Sequence, residues 1–133
     1  MIVAVNGREM TAATAPVVSD LLARMRNAGL QPVLQPDLSK WLAGHGVTGA
    51  VTHTAQGTLA PGAEMLISLG GDGTFLDSVV LAAASGTPVL GINLGRLGFL
   101  SSIPVEELDK ALSALSNRRF TLEERTQLRV DGD

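Results

Sequence analysis

The chain has 133 residues, 45% of them hydrophobic and 17% charged, which is enough for one domain with a real core and too apolar for disorder. A net charge of −3 offers no footprint for nucleic acid or an anionic membrane surface, and the absence of cysteine excludes disulfides and thiolate chemistry. The longest unbroken apolar run, 79–84, cannot span a bilayer, and the apolar start is too short for a signal peptide, so a cytoplasmic protein is expected.

Residues 2–5 predict a buried strand, ended by Asn6-Gly7. A helix is expected over 14–28, with Thr14 as its cap, Pro16 in the first turn and Gly29 after the end. Val17, Val18, Leu21, Leu22 and Met25 give it one apolar face. A weaker strand over 31–35 lies between Pro32 and Pro36, followed by a short helix over 37–42 that turns Leu38, Trp41 and Leu42 inward. The glycine-rich stretch 44–62 predicts loop with one short strand near 50–53, and its His45 and His53 are read as bystanders rather than metal ligands.

The pattern sharpens at 65–69, a strand, and 74–85, a helix stopped by Gly86. Thr74 with Asp77 forms an acidic capping box, and a helix apolar nearly all round (Phe75, Leu76, Val79, Val80, Leu81) is expected to be buried on several sides. Another strand is expected over 88–92. The last helix spans 104–117, with Val105, Leu108, Leu112 and Leu115 as its stripe, acids at its start and Arg118-Arg119 past its end. Residues 120–130 look extended. Alternating strands and helices predict an α/β fold with a parallel sheet and ligands at the carboxyl ends of its strands.

Between the strand at 65–69 and the helix after it lies Gly70-Gly71-Asp72-Gly73-Thr74. Glycines bring backbone N–H groups close to a ligand, and a helix start adds donors and a positive dipole end, which together suit phosphate. A carboxylate there would repel phosphate, so Asp72 needs a task of its own, proton abstraction or metal binding. An ordinary Asp-Gly turn is the competing reading, and the glycine pair between strand and helix weighs against it. The known phosphate and hydrolase motifs do not fit. No Gly-Lys-Ser/Thr makes a P-loop, 71–76 lacks the last glycine of a dinucleotide fingerprint, and there is no nucleophile elbow or His-Glu-x-x-His.

This turn resembles the motif shared by NAD kinases, diacylglycerol and sphingosine kinases and 6-phosphofructokinases, which transfer a phosphoryl group to a hydroxyl with a metal ion. Lipid kinases continue with a Gly-Thr-Gly-Asn-Asp type loop that is absent here. Instead, Pro88-Val89-Leu90-Gly91-Ile92-Asn93-Leu94-Gly95-Arg96-Leu97-Gly98-Phe99-Leu100 is similar to the matching stretch of bacterial NAD kinases. Gly7-Arg8-Glu9, Glu106-Glu107-Leu108 and Glu123-Glu124-Arg125-Thr126 point the same way, so the resemblance runs from Ile2 to Val130.

The resemblance implies a Rossmann-like, three-layer N-terminal α/β domain over 1–130. Residues 131–133 would then begin a C-terminal β-rich domain that the chain lacks. It implies phosphoryl transfer from ATP or polyphosphate, with a divalent metal such as Mg, to the 2′-hydroxyl of the adenosine ribose of NAD, giving NADP. Asp72 becomes the catalytic aspartate. Gly71, Gly73 and Thr74 offer donors and close approach, and Asn93, Gly95 and Phe99 resemble the second wall of the pocket. Asn93 and Gly95 also suit a strand-ending turn, and Phe99 suits core as well as ligand. Arg8 and Arg96 are phosphate contacts or solvated loop residues, and no residue is assigned to a metal. The expected partners are NAD and a nucleoside triphosphate, with neither nucleic acid nor membrane, and a homo-oligomer when full length. The family binds both substrates between two domains, so this chain alone is expected to be inactive. The alternatives are a lipid or sugar kinase domain of the same superfamily, or a non-enzymatic nucleotide-binding module.

Overall fold

The computed structural model describes residues 1–8, 10–94 and 103–120. In chain order these form β1 (Ile2–Gly7), α1 (Ala15–Asn27), β2 (Gln31–Leu34), α2 (Pro36–Ala43) and β3 (Val51–Thr52). Then follow β4 (Met65–Leu69), α3 (Asp72–Ala83), β5 (Val89–Asn93), β6 (Ile103–Pro104) and α4 (Leu108–Ser116). Single 3-10 turns at Ala12–Thr14 and Val105–Glu107 lead into α1 and α4. The expected extended segment over 120–130 lies, apart from Phe120, outside the described residues.

The strands make one six-stranded sheet in the order β3-β2-β1-β4-β5-β6, with every pairing parallel. The chain builds outward from β1 to one edge, then returns to β1's other side at β4. The topological switch point therefore lies between β1 and β4, where open α/β sheets leave a crevice at their carboxyl ends. This is the α/β, Rossmann-like architecture expected from the sequence.

Local chemistry sets the helix limits on the N-terminal side. Pro16 and Pro36 stand in the first turns of α1 and α2, where a missing N–H costs nothing. At the end of α1, Gly29 takes φ +86°, Leu30 N donates to Met25 O at 2.9 Å and Gly29 N to Arg26 O at 3.0 Å. That is a Schellman closure, and Leu30 folds back, buried, into the same apolar cluster as Met25.

Strand alternation divides the core into two unequal parts. On one face, Val3, Val5, Met65, Ile67, Leu69 and Ile92 pack against α1 (Val18, Leu21, Leu22, Met25), α2 (Leu38, Trp41, Leu42) and α4 (Leu108, Leu112, Leu115). The Val105 side chain lies outside the described residues, and Val17, expected on the inner face of α1, is 39% exposed. On the other face, Ala4 and Leu66 meet Ala82 of α3 and Ala60 of the loop before β4. Buried Gln35 pins that loop, donating from Nε2 to Thr58 O at 2.8 Å and accepting from Ala60 N at 3.0 Å. Among the described residues no helix is long and apolar enough to cross a membrane.

α3 departs from expectation in two ways. It begins at Asp72 rather than at Thr74, with Gly71 at the cap, so the Thr74–Asp77 capping box does not form. It is also not buried on several sides, for Leu76 is 56% exposed and Val80 73%. The helix lies on the sheet along a narrow line of small residues, Ser78 and Ala82, which leaves its remaining apolar side chains half-buried or in solvent.

Candidate active site

The strand register brings three chain exits together. Gly7 at the end of β1 is level with Leu69 at the end of β4, and Leu69 with Ile92 near the end of β5. Gly70 N then donates to Ile92 O at 3.2 Å, which ties the turn after β4 to β5. Arg8, the turn at 70–74 and Asn93 therefore all emerge at the same carboxyl edge, at and beside the switch point.

The glycines of the turn serve different ends. Gly70 has φ +136°, a conformation L side chains rarely adopt, and a Cβ there would stand 3.0 Å from Thr74 Oγ1. Its glycine is demanded by the protein's own backbone. Gly71 is extended (φ −101°, ψ −163°), and a Cβ at Gly71 or Gly73 would meet nothing within 4 Å. Their side-chain positions open outward, so the described residues do not themselves require glycine at either place.

Asp72 is the first residue of α3 and half-buried, followed by exposed Gly73 and half-buried Thr74 in the same turn. The helix ladder opens with Phe75 N donating to Gly71 O at 3.0 Å. The N–H groups of that first turn have no partner within the helix and carry its positive dipole end. A carboxylate at this position is favoured by that end, which answers in part why an acid is tolerated beside an anion-binding turn. Asn93 closes β5 and is 6% exposed. Gly95, Arg96 and Phe99 lie outside the described residues.

Arg8 leaves β1 beside α3 and forms an ion pair with Asp77, both side chains being substantially exposed. Asp77, read from the sequence as a helix-start residue, thus holds the arginine over the first turns of α3. His45, past the end of α2, and His53, just past β3, bond to residues outside this turn. His45 Nδ1 lies 2.9 Å from Trp41 O, and His53 Nε2 lies 3.0 Å from Thr58 Oγ1.

Two participants carry no local sequence signal. Asn6, near the end of β1, donates from Nδ2 to Ser78 Oγ at 2.9 Å, and Ser78 donates to Thr74 O at 2.9 Å. Ser78 is fully buried. Strand periodicity alone cannot show that Asn6 reaches a helix begun 66 residues later.

Comparison with known proteins places the chain in a family. Residues 8–120 match the model of the ATP-NAD kinase N-terminal domain. The NAD kinase of Flavobacterium psychrophilum is 35% identical over 133 residues, covering 96% of this chain and 44% of the relative. That of Corynebacterium glutamicum is 42% identical over 99 residues, covering 74% of this chain and 34% of the relative. Among solved structures, yeast NADH kinase complexed with NADH superposes with a TM-score of 0.70 at 22% identity, over 90% of this chain and 38% of that one, a likeness of fold. The chain thus spans less than half the length of these relatives. With a family model matched over most of its length, the chain belongs to the NAD kinase family and corresponds to its N-terminal domain.

Proposed function

We propose that this chain is the N-terminal half of an NAD kinase, with 1–130 forming its α/β domain and a β-rich C-terminal domain completing the site. The reaction is transfer of the γ-phosphoryl group of ATP, or of polyphosphate, to the 2′-hydroxyl of the adenosine ribose of NAD. The O–P bond forms at that hydroxyl, the bond to the leaving phosphate breaks, and the hydroxyl proton passes to Asp72. The observation that carries this reading is the turn itself. Asp72 opens α3 between two glycines at which a side chain would meet no described residue, which suits a turn that a phosphate or ribose approaches closely. General-base help of this kind contributes about 10²- to 10⁴-fold, and positioning and charge neutralisation supply the rest.

Gly71, Gly73 and Thr74 cradle phosphate, while Asn93, Gly95 and Phe99 form the opposite wall. Arg8 and Arg96 answer the phosphate charge, Arg8 by exchanging Asp77 for the ligand. A divalent metal such as Mg would neutralise charge on the transferred group. Such a cation would be held chiefly by the donor's phosphate oxygens, as Mg²⁺ commonly is in phosphoryl-transfer sites. The complete enzyme is cytoplasmic and homo-oligomeric, with no nucleic-acid or membrane partner.

The test is to offer the complete enzyme NAD, diacylglycerol and fructose 6-phosphate in parallel, with ATP and Mg. Phosphorylation of NAD alone is expected, and transfer to lipid or sugar instead would overturn the reading. The 133-residue chain by itself is expected to make no NADP. Robust turnover by it would show that the second domain is dispensable.

A further inference from the structure

We infer that Asn6 and the buried Ser78 form a positioning relay that sets the first turn of α3, and with it Asp72, against the sheet. This rests on the reading of Asp72 as the base. Ser78 is 0% exposed on the inner line of α3, and its hydroxyl makes two bonds of opposite sense. The Asn6 amide nitrogen can only donate, so Ser78 Oγ accepts from it and must spend its own proton on Thr74 O. That direction is fixed by chemistry, not by choice of rotamer alone.

The relay acts where packing is weakest. α3 reaches the sheet through small residues, and among the described residues the buried members of its cluster are Ala4, Ala60, Leu66 and Ala82, with Val33, Leu59, Ala63, Leu81 and Val89 half-buried against them. A helix whose apolar contacts are small or half-buried is oriented less firmly by packing, and directional bonds then fix its position. Asn6 supplies such a bond from β1, the strand at the switch point. Ser78 passes the link on to the Thr74 carbonyl, and Thr74 Oγ1 lies where a Cβ on Gly70 would come within 3.0 Å of it. The turn is thereby gripped from the helix side and the strand side, with Asp72 between the two grips. The exposed Arg8–Asp77 ion pair joins the same two elements one step further out.

Two substitutions test this. Ser78→Ala removes the relay, and Asn6→Asp reverses it, because a carboxylate takes the serine proton that Thr74 O now receives. In the 133-residue chain, hydrogen exchange at the helix-bonded amides of residues 75–78 should quicken by about tenfold or more in both variants, with the β4 amides unchanged. In the complete enzyme both should lower kcat for NADP formation by about tenfold or more while KM for NAD stays within about twofold, since a small misplacement of a reacting group costs rate rather than affinity. Ala82→Gly loosens the same helix without touching the relay and serves as the control for stability. An exchange rate or kcat within about twofold of the unmodified protein in Ser78→Ala, or a fall no larger than in Ala82→Gly, overturns the relay. Asp72→Asn run alongside separates the two claims. If that variant is dead and Ser78→Ala unimpaired, the relay alone fails; if Asp72→Asn works normally, the base assignment fails and takes the relay with it.

Discussion

On one side of the sheet, Val3, Val5, Ile67 and Leu69 are sealed beneath three helices that contribute Leu21, Leu22, Leu38, Leu42, Leu112 and others. On the opposite side, Ala4 and Leu66 lie beneath α3 and a loop, with Ala60 and Ala82 as their buried partners. The first side is built from large aliphatic groups, whose burial supplies most of the hydrophobic stabilisation. The second has a smaller buried cluster, with half-buried apolar groups and hydrogen bonds around it, and it carries the residues assigned to chemistry. A rigid, heavily packed layer fixes where the strands end. A lightly packed helix then presents Asp72 at those ends, positioned by polar contacts that are directional where apolar packing is not.

The contrast can be broken by substitution. Leu21→Ala or Leu42→Ala, on the packed side, should cost about 2–5 kcal/mol of unfolding free energy in urea titration. A loss much smaller than this would mean that the thick core is not what holds the sheet. Gly70→Ala places a Cβ on a φ of +136° and against Thr74, and should cost about 1–3 kcal/mol. Gly71→Ala meets no such obstacle and should leave unfolding within about 0.5 kcal/mol of the unmodified chain. In the complete enzyme, however, Gly71→Ala should weaken nucleotide binding measured by calorimetry, because its new methyl occupies the space a phosphate needs. Equal effects of the two glycine substitutions on stability would erase the distinction between a glycine kept for the fold and one kept for the ligand. Leu76→Ser, on the outer stripe of α3, should change unfolding by about 0.5 kcal/mol or less. A larger loss there would show that this face is covered.

Much of the fold was legible because its signals are local. β4 stands at Met65–Leu69 as read, and α1 is bounded by Pro16 and Gly29, residues whose backbone preferences leave little choice. α3 starts two residues before the sequence predicts because Gly73, a turn former elsewhere, here sits inside the first helical turn. Its burial departs from expectation for a different reason. Apolarity all round a helix does not say how many layers surround it, and α3 has the sheet on one side only in the described residues. β6 was missed, since Ile103-Pro104 is two residues long and its proline can donate nothing to a ladder, which suits an edge strand. Of the site, the turn and its aspartate were readable as a strand–glycine–helix junction. The contacts Asn6–Ser78 and Arg8–Asp77 were not, because they exist only after β1 and α3 have been brought side by side.

The account turns on Asp72. The most direct measurement is the rate of NADP formation by the complete enzyme carrying Asp72→Asn, which keeps the shape of the side chain and removes its ability to accept a proton. A fall of about 10²- to 10⁴-fold, with unfolding unchanged and nucleotide still bound, is the expected result. A rate near that of the unmodified enzyme would contradict it and return this carboxylate to the role of a turn residue.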